Sequence, residues 1–444
     1  MMRQRHTASL TLLDKVNVCL QAFGDHVMHL VFDVQGQINL ERLQRAARLS
    51  LVQHPIMAMQ LQESGLQPRW QAHPEHVLDA FRYCDLIEES ECQPALDRFL
   101  VQERDYRIEP MLKIRVIRHT VDTVCIKVSC VPIDGRGFLI FVEDLLAIYE
   151  HLQLNPNYQP PAGNLDLRST KALLPYFKVI DVFRLLISGL RNQITDSRTA
   201  NNWQFPSQPG QHIEKRYYCH QCRPSTLQAL NRYRKLHDLS FNDVLLGAYY
   251  KALYEIIQPS GKGPYCVLNT YDLRRYEQAG APNRVANYSS FINTNVRLQA
   301  DTSLAAAARA VSHAINTRKA RYPGITEGPF IWPLLTFLPF PIGSFIVKGL
   351  LKHRGEKIPV FTNVGVIHTD KMRINGQPIS NVQPFAPLEH PPKLTVTLAT
   401  SGEVISLSVG YSENHFPTTL IQHLFQRMEQ LIRETCIQPN TVAA

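Results

Sequence analysis

Apolar and polar residues alternate most clearly in two neighbouring stretches, Leu112–Arg118 and Thr123–Val131. In the second, Val124, Ile126, Val128 and Cys130 share one face, and Cys125, Lys127 and Ser129 the other. A period of two predicts strands, and His29–Val34 reads as a third. The period lengthens between Leu40 and Gln53, where Leu40, Leu43, Ala47 and Leu51 recur. That spacing predicts a helix, with Asn39 positioned to cap its first N–H groups and Pro55 to end it. A second helix is predicted from Phe138 to Leu152, carrying Phe138, Phe141, Leu145 and Tyr149 on its apolar stripe. The other half of the chain follows the same grammar. Helices are predicted at Thr226–Leu236 and Asn242–Ile256, and strands at Tyr265–Thr270, Ser290–Val296 and Val360–Val366. Leu394–Thr400 and Val404–Val409 flank Ser401-Gly402 as a hairpin, and a last helix after Pro417 carries Leu420, Leu424, Met428 and Leu431. Helices and strands mixed through both halves indicate an α/β architecture. A repeat of 20–50 residues is not visible, which excludes solenoids and propellers.

Two stretches break the periodicity. Residues Asn155–Ser169 hold Pro156, Pro160, Pro161 and Gly163, and Thr195–Gly210 is a second candidate linker. The expected division is an N-terminal lobe over residues 1–165, a linker with an amphipathic helix over 166–210, and a C-terminal lobe over 211–444. A length of 444 residues suits two such units, because a single core stops growing near ~250–300 residues.

Charge and cysteine content narrow the function classes. The 47 basic and 38 acidic residues leave +9, which permits an anionic partner. Basic residues are dispersed and no nucleic-acid motif is present, so nucleic acid is not expected. P-loop, GxGxxG and GxSxG patterns are missing, which argues against nucleotide cofactors and the common serine hydrolases. Nine cysteines without regular spacing, and an N-terminus without an apolar leader, fit a cytoplasmic protein. Cys219-His220-Gln221-Cys222 is a lone CxxC, so no metal site is expected. Two apolar segments stand out. Gly328–Val347 lacks charge but is interrupted by Pro333, Pro339, Pro341 and Gly343, which suits a buried or lid-like segment, a wall for an apolar substrate, or a surface touching a membrane. Leu173–Leu190 fits an amphipathic helix, packed on a core or lying at a lipid interface.

The most informative stretch, Val128–Tyr149, reads VSCVPIDGRGFLIFVEDLLAIY. A strand ends, a tight turn holds Asp134-Gly135, and a helix begins. This resembles the core motif of the CoA-dependent acyltransferase superfamily, which includes chloramphenicol acetyltransferase, peptide-synthetase condensation domains, plant acyltransferases and wax-ester synthases. The motif is His-His-x-x-x-Asp-Gly. Aligned on Asp134-Gly135, its histidine positions hold Ser129 and Cys130. Four further segments resemble the family in order, over roughly Leu10 to Glu434: the helix ending at His54-Pro55, Ser240–Leu246, the Asp272-Leu273-Arg274 strand end, and Phe361-Thr362-Asn363-Val364-Gly365. The resemblance implies two chloramphenicol-acetyltransferase-like lobes in a V-shaped pseudo-dimer, with a central tunnel and the motif at its middle. It implies acyl transfer from coenzyme A or a carrier-protein phosphopantetheine thioester to a small-molecule amine or alcohol, without a permanently bound cofactor. A natural-product or lipid pathway is the expected setting. The chain shows no adenylation or carrier motif, so a stand-alone monomer is expected.

The departure falls on the reacting group. In the family, the second histidine is a general base, which suits an imidazole whose pKa lies near neutrality. A thiol titrates near ~8.5 and accepts protons poorly. Cys130 is therefore a nucleophile, a small filler beside a base from elsewhere, or the mark of a site that only binds. A tunnel repurposed for cyclisation, elimination or condensation, and a non-catalytic module that recruits a carrier or another protein, remain open as alternatives. His368, His390 and His415 are candidate substitute bases, and Ser129 a candidate hydrogen-bond donor. Asp134 is expected to support the turn, with Arg274 as its partner. Gly135, Arg274, Asn363 and His368 are candidate substrate-binding residues, and Arg136 a further candidate for an anionic group.

Overall fold

The structure is a computed structural model. It describes residues 7–437 apart from 73–83, 89–90, 104, 106, 108, 170–178, 198–202, 211, 262, 278–283, 320–321, 327–330 and 356. The first half runs β1 (Thr7–Ser9), α1 (Leu12–Leu20), β2 (Val27–Val34), α2 (Leu40–Gln53), β3 (Met59–Gln62), β4 (Arg69–Ala72), β5 (Cys84–Glu88), α3 (Cys92–Val101), β6 (Leu112–Arg118), β7 (Asp122–Ser129) and α4 (Gly135–Leu154). Next come α5 (Val179–Ser197), β8 (Lys215–Gln221), α6 (Pro224–Leu236), α7 (Phe241–Ile257), β9 (Tyr265–Asp272), β10 (Ser289–Val296) and α8 (Leu304–Lys319). The chain continues through α9 (Ile331–Phe337), α10 (Phe340–Gly355), β11 (Val360–Ile367), β12 (Arg373–Ile374), β13 (Gln377–Pro378), β14 (Ser380–Phe385), β15 (Thr395–Ser401), β16 (Val404–Ser412) and α11 (Thr418–Ile437).

Two sheets organise the two lobes. The first is five-stranded, in the order β14-β2-β7-β6-β5, and the second six-stranded, in the order β10-β9-β11-β15-β16-β8. Each has its own core. Leu30, Phe32, Ile126 and Val128 pack against Leu43 of α2 and Phe141 of α4 in the first. Val396, Leu398 and Leu407 pack against Tyr249 of α7, Val311 of α8 and Phe425 of α11 in the second. The helices predicted at Leu40–Gln53 and after Pro417 form as expected. Their apolar stripes have a sheet face to cover, and Asn39 does cap α2, accepting from the Arg42 N–H at 2.9 Å.

Two pieces of the second half belong to the first lobe, so the division at residue 211 is not followed throughout. β14 leaves its own half and pairs antiparallel with β2, with Gln383 opposite Val31 and Phe385 opposite His29. This completes a strand edge that would otherwise be left unpaired. Helices α9 and α10 send Leu335, Phe340 and Val347 into the first core. Gly328–Val347 is therefore partly buried, as a helical hairpin, although residues 328–330 lie outside the described residues. The amphipathic helix is α5. It turns Ile187, Leu190 and Ile194 outward, while residues 173–178 lie outside the described residues. Among the described residues no helix is long and apolar enough to cross a membrane.

β7 departs from simple alternation, because both its faces are covered. Lys127 is buried, and its ammonium donates to the carbonyls of Phe99, Leu100 and Gln102 at the end of α3. A helix C-terminus offers free carbonyls and partial negative charge, which suits a buried ammonium. A buried ion pair fastens the linker. Arg168 meets Asp14 at 2.9 Å and donates at 2.8 Å to the carbonyl of Pro132, two residues before Asp134. Asp14 also accepts from the Trp70 indole at 3.0 Å and closes the capping box of α1 with Thr11. Asp14→Ala strands a buried guanidinium and removes a cap, so it is expected to cost about 3–5 kcal/mol, read as a lower urea midpoint in equilibrium unfolding.

Candidate functional site

The turn between β7 and α4 sits where the lobes meet. Cys130, Val131 and Ile133 are buried, and Asp134 caps α4, accepting the Gly137 N–H at 2.7 Å. The second lobe grips the same carboxylate. Arg274, just past β9, donates from Nη1 to Asp134 Oδ2 at 2.8 Å and from Nη2 to Oδ1 at 3.1 Å, and the Tyr288 N–H donates to Oδ2 at 2.7 Å. Nη1 also donates to Asp272 and Nη2 to the Arg284 and Ala286 carbonyls, while the buried Nε finds no hydrogen-bond partner among the described residues. Burial alone would favour loss of the Arg274 proton. The Asp134 and Asp272 carboxylates outweigh it and hold the guanidinium above its usual pKa. Gly137 is required for this approach, since a Cβ there would stand 2.8 Å from the Ala286 carbonyl oxygen. Asn287 adds a further link, donating to the Cys130 carbonyl at 3.0 Å.

On this platform Cys130 faces a histidine that no motif marks. β2 and β7 pair with Val27 opposite Ser129, so the next residue out, His26, lies opposite Cys130. The Cys130 N–H donates to the His26 carbonyl at 2.9 Å, and Cys130 Sγ lies 3.0 Å from His26 Nδ1. Both residues are nearly closed to solvent, at 6% and 5% exposure. His26 holds φ at +50°, a left-handed conformation uncommon for a non-glycine residue. Burial dominates the electrostatics. It lowers the His26 pKa to about 4, against the opposing pull of the Leu20 carbonyl and Asp25. It raises the Cys130 thiol well above its usual range, with Asp25 and Glu389 pushing the same way. The resting pair is thus a neutral thiol beside a neutral imidazole, not a thiolate beside an imidazolium. In the tautomer that carries its proton on Nε2, Nδ1 is the acceptor for the thiol proton.

The surroundings of the pair come from both lobes. Asp25 accepts from the Val27 and Leu388 N–H groups and from the Tyr217 hydroxyl, and Lys215 lies 3.9 Å away. Tyr217 and Lys215 also line a groove of about 700 Å³ between α3 and β8, which includes Arg98 and Arg216.

The structure places the other sequence candidates in different settings. Ser129 is buried, and its hydroxyl accepts the Val131 N–H at 3.3 Å, so it serves the turn. Gly135 opens α4 beside Val364, where an added Cβ would make ordinary contact at 3.8 Å. Asn363 holds the bulge of β11, accepting the Gly365 N–H at 2.8 Å and donating to Asn242 at 3.2 Å. His368 lies past β11, 3.9 Å from the exposed Asp370. His415 pairs with Ser412 at 2.9 Å. His390 is close enough to His26 to disfavour its protonation. The two cysteines of the CxxC face opposite ways: Cys219 packs toward the first lobe and Cys222 enters the second core. Cys222 meets His220 and Glu429 instead, and the Glu429 carboxylate caps α6 through the Arg223 N–H and the Thr226 hydroxyl. His26 escaped the sequence reading because it stands outside the motif; its only signal is its position just before a strand that pairs with β7.

No family model and no curated protein sequence matches the chain. Solved structures do. The first condensation domain of the calcium-dependent antibiotic synthetase, in complex with a substrate analogue, is similar at 14% identity and TM-score 0.73, over 98% of this chain and 97% of that one. TRI3 trichothecene 15-O-acetyltransferase from Fusarium sporotrichioides is similar at 11% identity and TM-score 0.73, over 96% and 94%. Polyketide synthase associated protein 5 from Mycobacterium tuberculosis is similar at 13% identity and TM-score 0.68, over 96% and 100%. At these identities the likeness shows the fold. It is the fold of the condensation domains and chloramphenicol-acetyltransferase-like enzymes that the Val128–Tyr149 motif resembles.

Two outcomes follow from this geometry. Arg274→Met leaves Asp134 buried without its cation and is expected to cost about 3–5 kcal/mol, measured by denaturant unfolding. His26 has a folded pKa of about 4 against 6.5 unfolded, so the unfolded chain takes up its proton first as the pH falls. The stability this represents is complete above pH 6.5 and is lost as the pH falls toward 4, amounting to about 3 kcal/mol. His26→Asn, which tolerates the left-handed backbone, should remove that part of the acid sensitivity in unfolding curves recorded from pH 7 to pH 4.

Proposed function

We propose that this chain is an acyltransferase-like enzyme in which Cys130 receives an acyl group from a thioester and passes it to a hydroxyl or amine. The observation that carries the reading is the 3.0 Å contact of Cys130 Sγ with His26 Nδ1, at the position where the resembled motif has its histidine. The imidazole lost from the motif position is supplied by the neighbouring strand.

The chemistry runs in two exchanges. Cys130 Sγ attacks the thioester carbonyl carbon as His26 Nδ1 takes the thiol proton. The bond from carbonyl carbon to donor sulfur breaks, and the departing thiolate collects the proton from His26. The acyl group then rests on Cys130. The acceptor oxygen or nitrogen attacks it, His26 takes the acceptor proton, and the Cys130 thiolate recovers that proton on leaving. Neither exchange leaves a free charge in the buried site at its end. The charge that develops on His26 between them is favoured by Asp25, the neighbouring residue. Arg274 and Asp134 act as positioning residues in this scheme, holding the turn rather than touching the acyl group. Gly135 on the first-lobe side, and Asn363 and His368 on the second-lobe side, are the candidate residues for substrate contact.

The donor in this reading is coenzyme A or a carrier-protein phosphopantetheine, both anionic, which the net charge of +9 favours through steering. The groove between α3 and β8, whose Lys215 and Arg216 are paired with Glu103 and Glu214, is the carrier's approach in this reading on its shape and its nearness to Asp25. The reading goes with a cytoplasmic biosynthetic setting, and with a small-molecule acceptor entering from the other side.

The test is a panel of acyl-CoA and acyl-pantetheine donors with mixed alcohol and amine acceptors, read by mass spectrometry. Cys130→Ala and His26→Asn are each expected to lower turnover on the order of 100-fold or more, and the wild-type chain to carry the acyl mass on Cys130 after donor alone. Full turnover in Cys130→Ala overturns the covalent route and returns the role of base to His26 or another group. Cys130→His tests the converse, since gained transfer would show that a base at this position is sufficient.

A further inference from the structure

The hairpin of α9 and α10 does two opposite things with its apolar residues. Leu335, Phe340 and Val347 enter the first core. Phe337 and Phe345 point away from it at 82% and 80% exposure, with Ile342 and Ile346 beside them on the outer face of α10. Leu66, also exposed, joins this surface from the loop after β3, because its carbonyl accepts the Phe340 N–H at 2.8 Å. Soluble surfaces scatter single apolar residues, whereas five large ones gathered on one projection mark a contact surface.

The projection is braced. Gly343 lets the two helices touch, since a Cβ there would lie 2.4 Å from the Leu334 carbonyl oxygen. Lys15 of α1 donates to the Leu335 carbonyl at 2.9 Å and to Gln67 at 2.6 Å, and Gln67 donates to the Leu338 carbonyl at 3.2 Å. The phenylalanines are therefore held out by a packed scaffold.

Charge selects the occupant. From Ile331 to Gly355 the sequence contains no Asp or Glu. Lys348 and Lys352 follow Phe345 along α10, one and two turns on, and Lys352 is exposed. Bulky apolar tips above a collar of lysines match the acyl and phosphate layers of an anionic bilayer, where the stems of lysines extend to the headgroups. Side chains as far out as Phe337 and Phe345 suit insertion into a deformable phase better than docking on a rigid protein face. We propose that the α9–α10 hairpin seats the protein peripherally on an anionic phospholipid surface. This stands on the hairpin alone and is independent of the chemistry at Cys130.

Vesicle flotation with the full chain tests it, using phosphatidylcholine vesicles with and without phosphatidylglycerol. The expected result is binding to the phosphatidylglycerol vesicles that weakens with salt. Phe337→Ser/Phe345→Ser should weaken it at least tenfold, and Lys348→Glu/Lys352→Glu should remove the preference for the anionic lipid. Phe337, Phe345 and Lys352 are exposed and Lys348 is half-buried, and unchanged melting curves will show that the variants fold. Absence of binding to either vesicle, or binding unaltered in the Phe337→Ser/Phe345→Ser variant, overturns the proposal. So does a dimer in sedimentation that the same double variant dissociates, because the hairpin would then be an interface between two copies.

Discussion

The pairing of Asp134 with Arg274 is the interaction on which the rest of this structure depends. One carboxylate caps α4, receives a bidentate guanidinium from 140 residues away, and accepts the Tyr288 N–H. A buried ion pair is worth little in stability against a well-packed apolar substitute, but it is exacting about geometry. Its position at the lobe junction means that the turn carrying Cys130 and the strand end carrying Arg274 are set relative to each other by hydrogen bonds in a fixed fork. Asn287 and Gly137 extend that joint by bringing the second lobe's backbone onto the same turn.

The reacting pair follows from this joint and from burial. Cys130 and His26 meet because two antiparallel strands end in register, and the lobe contact closes them from water. Removing water penalises both charged forms, so the proton stays on sulfur until a substrate arrives. A cysteine in a site of this kind does not need a depressed pKa if its proton has a partner at hydrogen-bond distance. This differs from the exposed, electropositive setting in which reactive thiolates are usually found. It also separates Cys130 from Cys125, Cys219 and Cys266, which are raised by burial too but have no imidazole at hydrogen-bond distance among the described residues.

The sequence patterns were readable where the controlling forces are local. The Leu112–Arg118 strand, the Leu40–Gln53 helix and the strand–turn–helix at Asp134 all have their predicted bounds or nearly so. Periodicity, an Asn or Asp cap and a proline stop act over a few residues. Lys127 shows the limit of that reading. Alternation places it on the polar face of β7, and only the arrival of α3 buries it and supplies carbonyls for its charge. The lobe boundary shows the same limit, because β14 and the α9–α10 hairpin are claimed by the first lobe through contacts made more than 200 residues from their place in the chain.

What the sequence determined by itself, then, is the longer helices and strands it predicted in each half, the Asp-Gly turn between β7 and α4, and the resemblance of that turn to an acyltransferase motif lacking its histidine. The tertiary structure decided which imidazole stands in that place. His26 and Cys130 are 104 residues apart, and their contact exists only through the pairing register of β2 with β7. Register is a property of two strands and the core they share, which no short stretch of either one encodes.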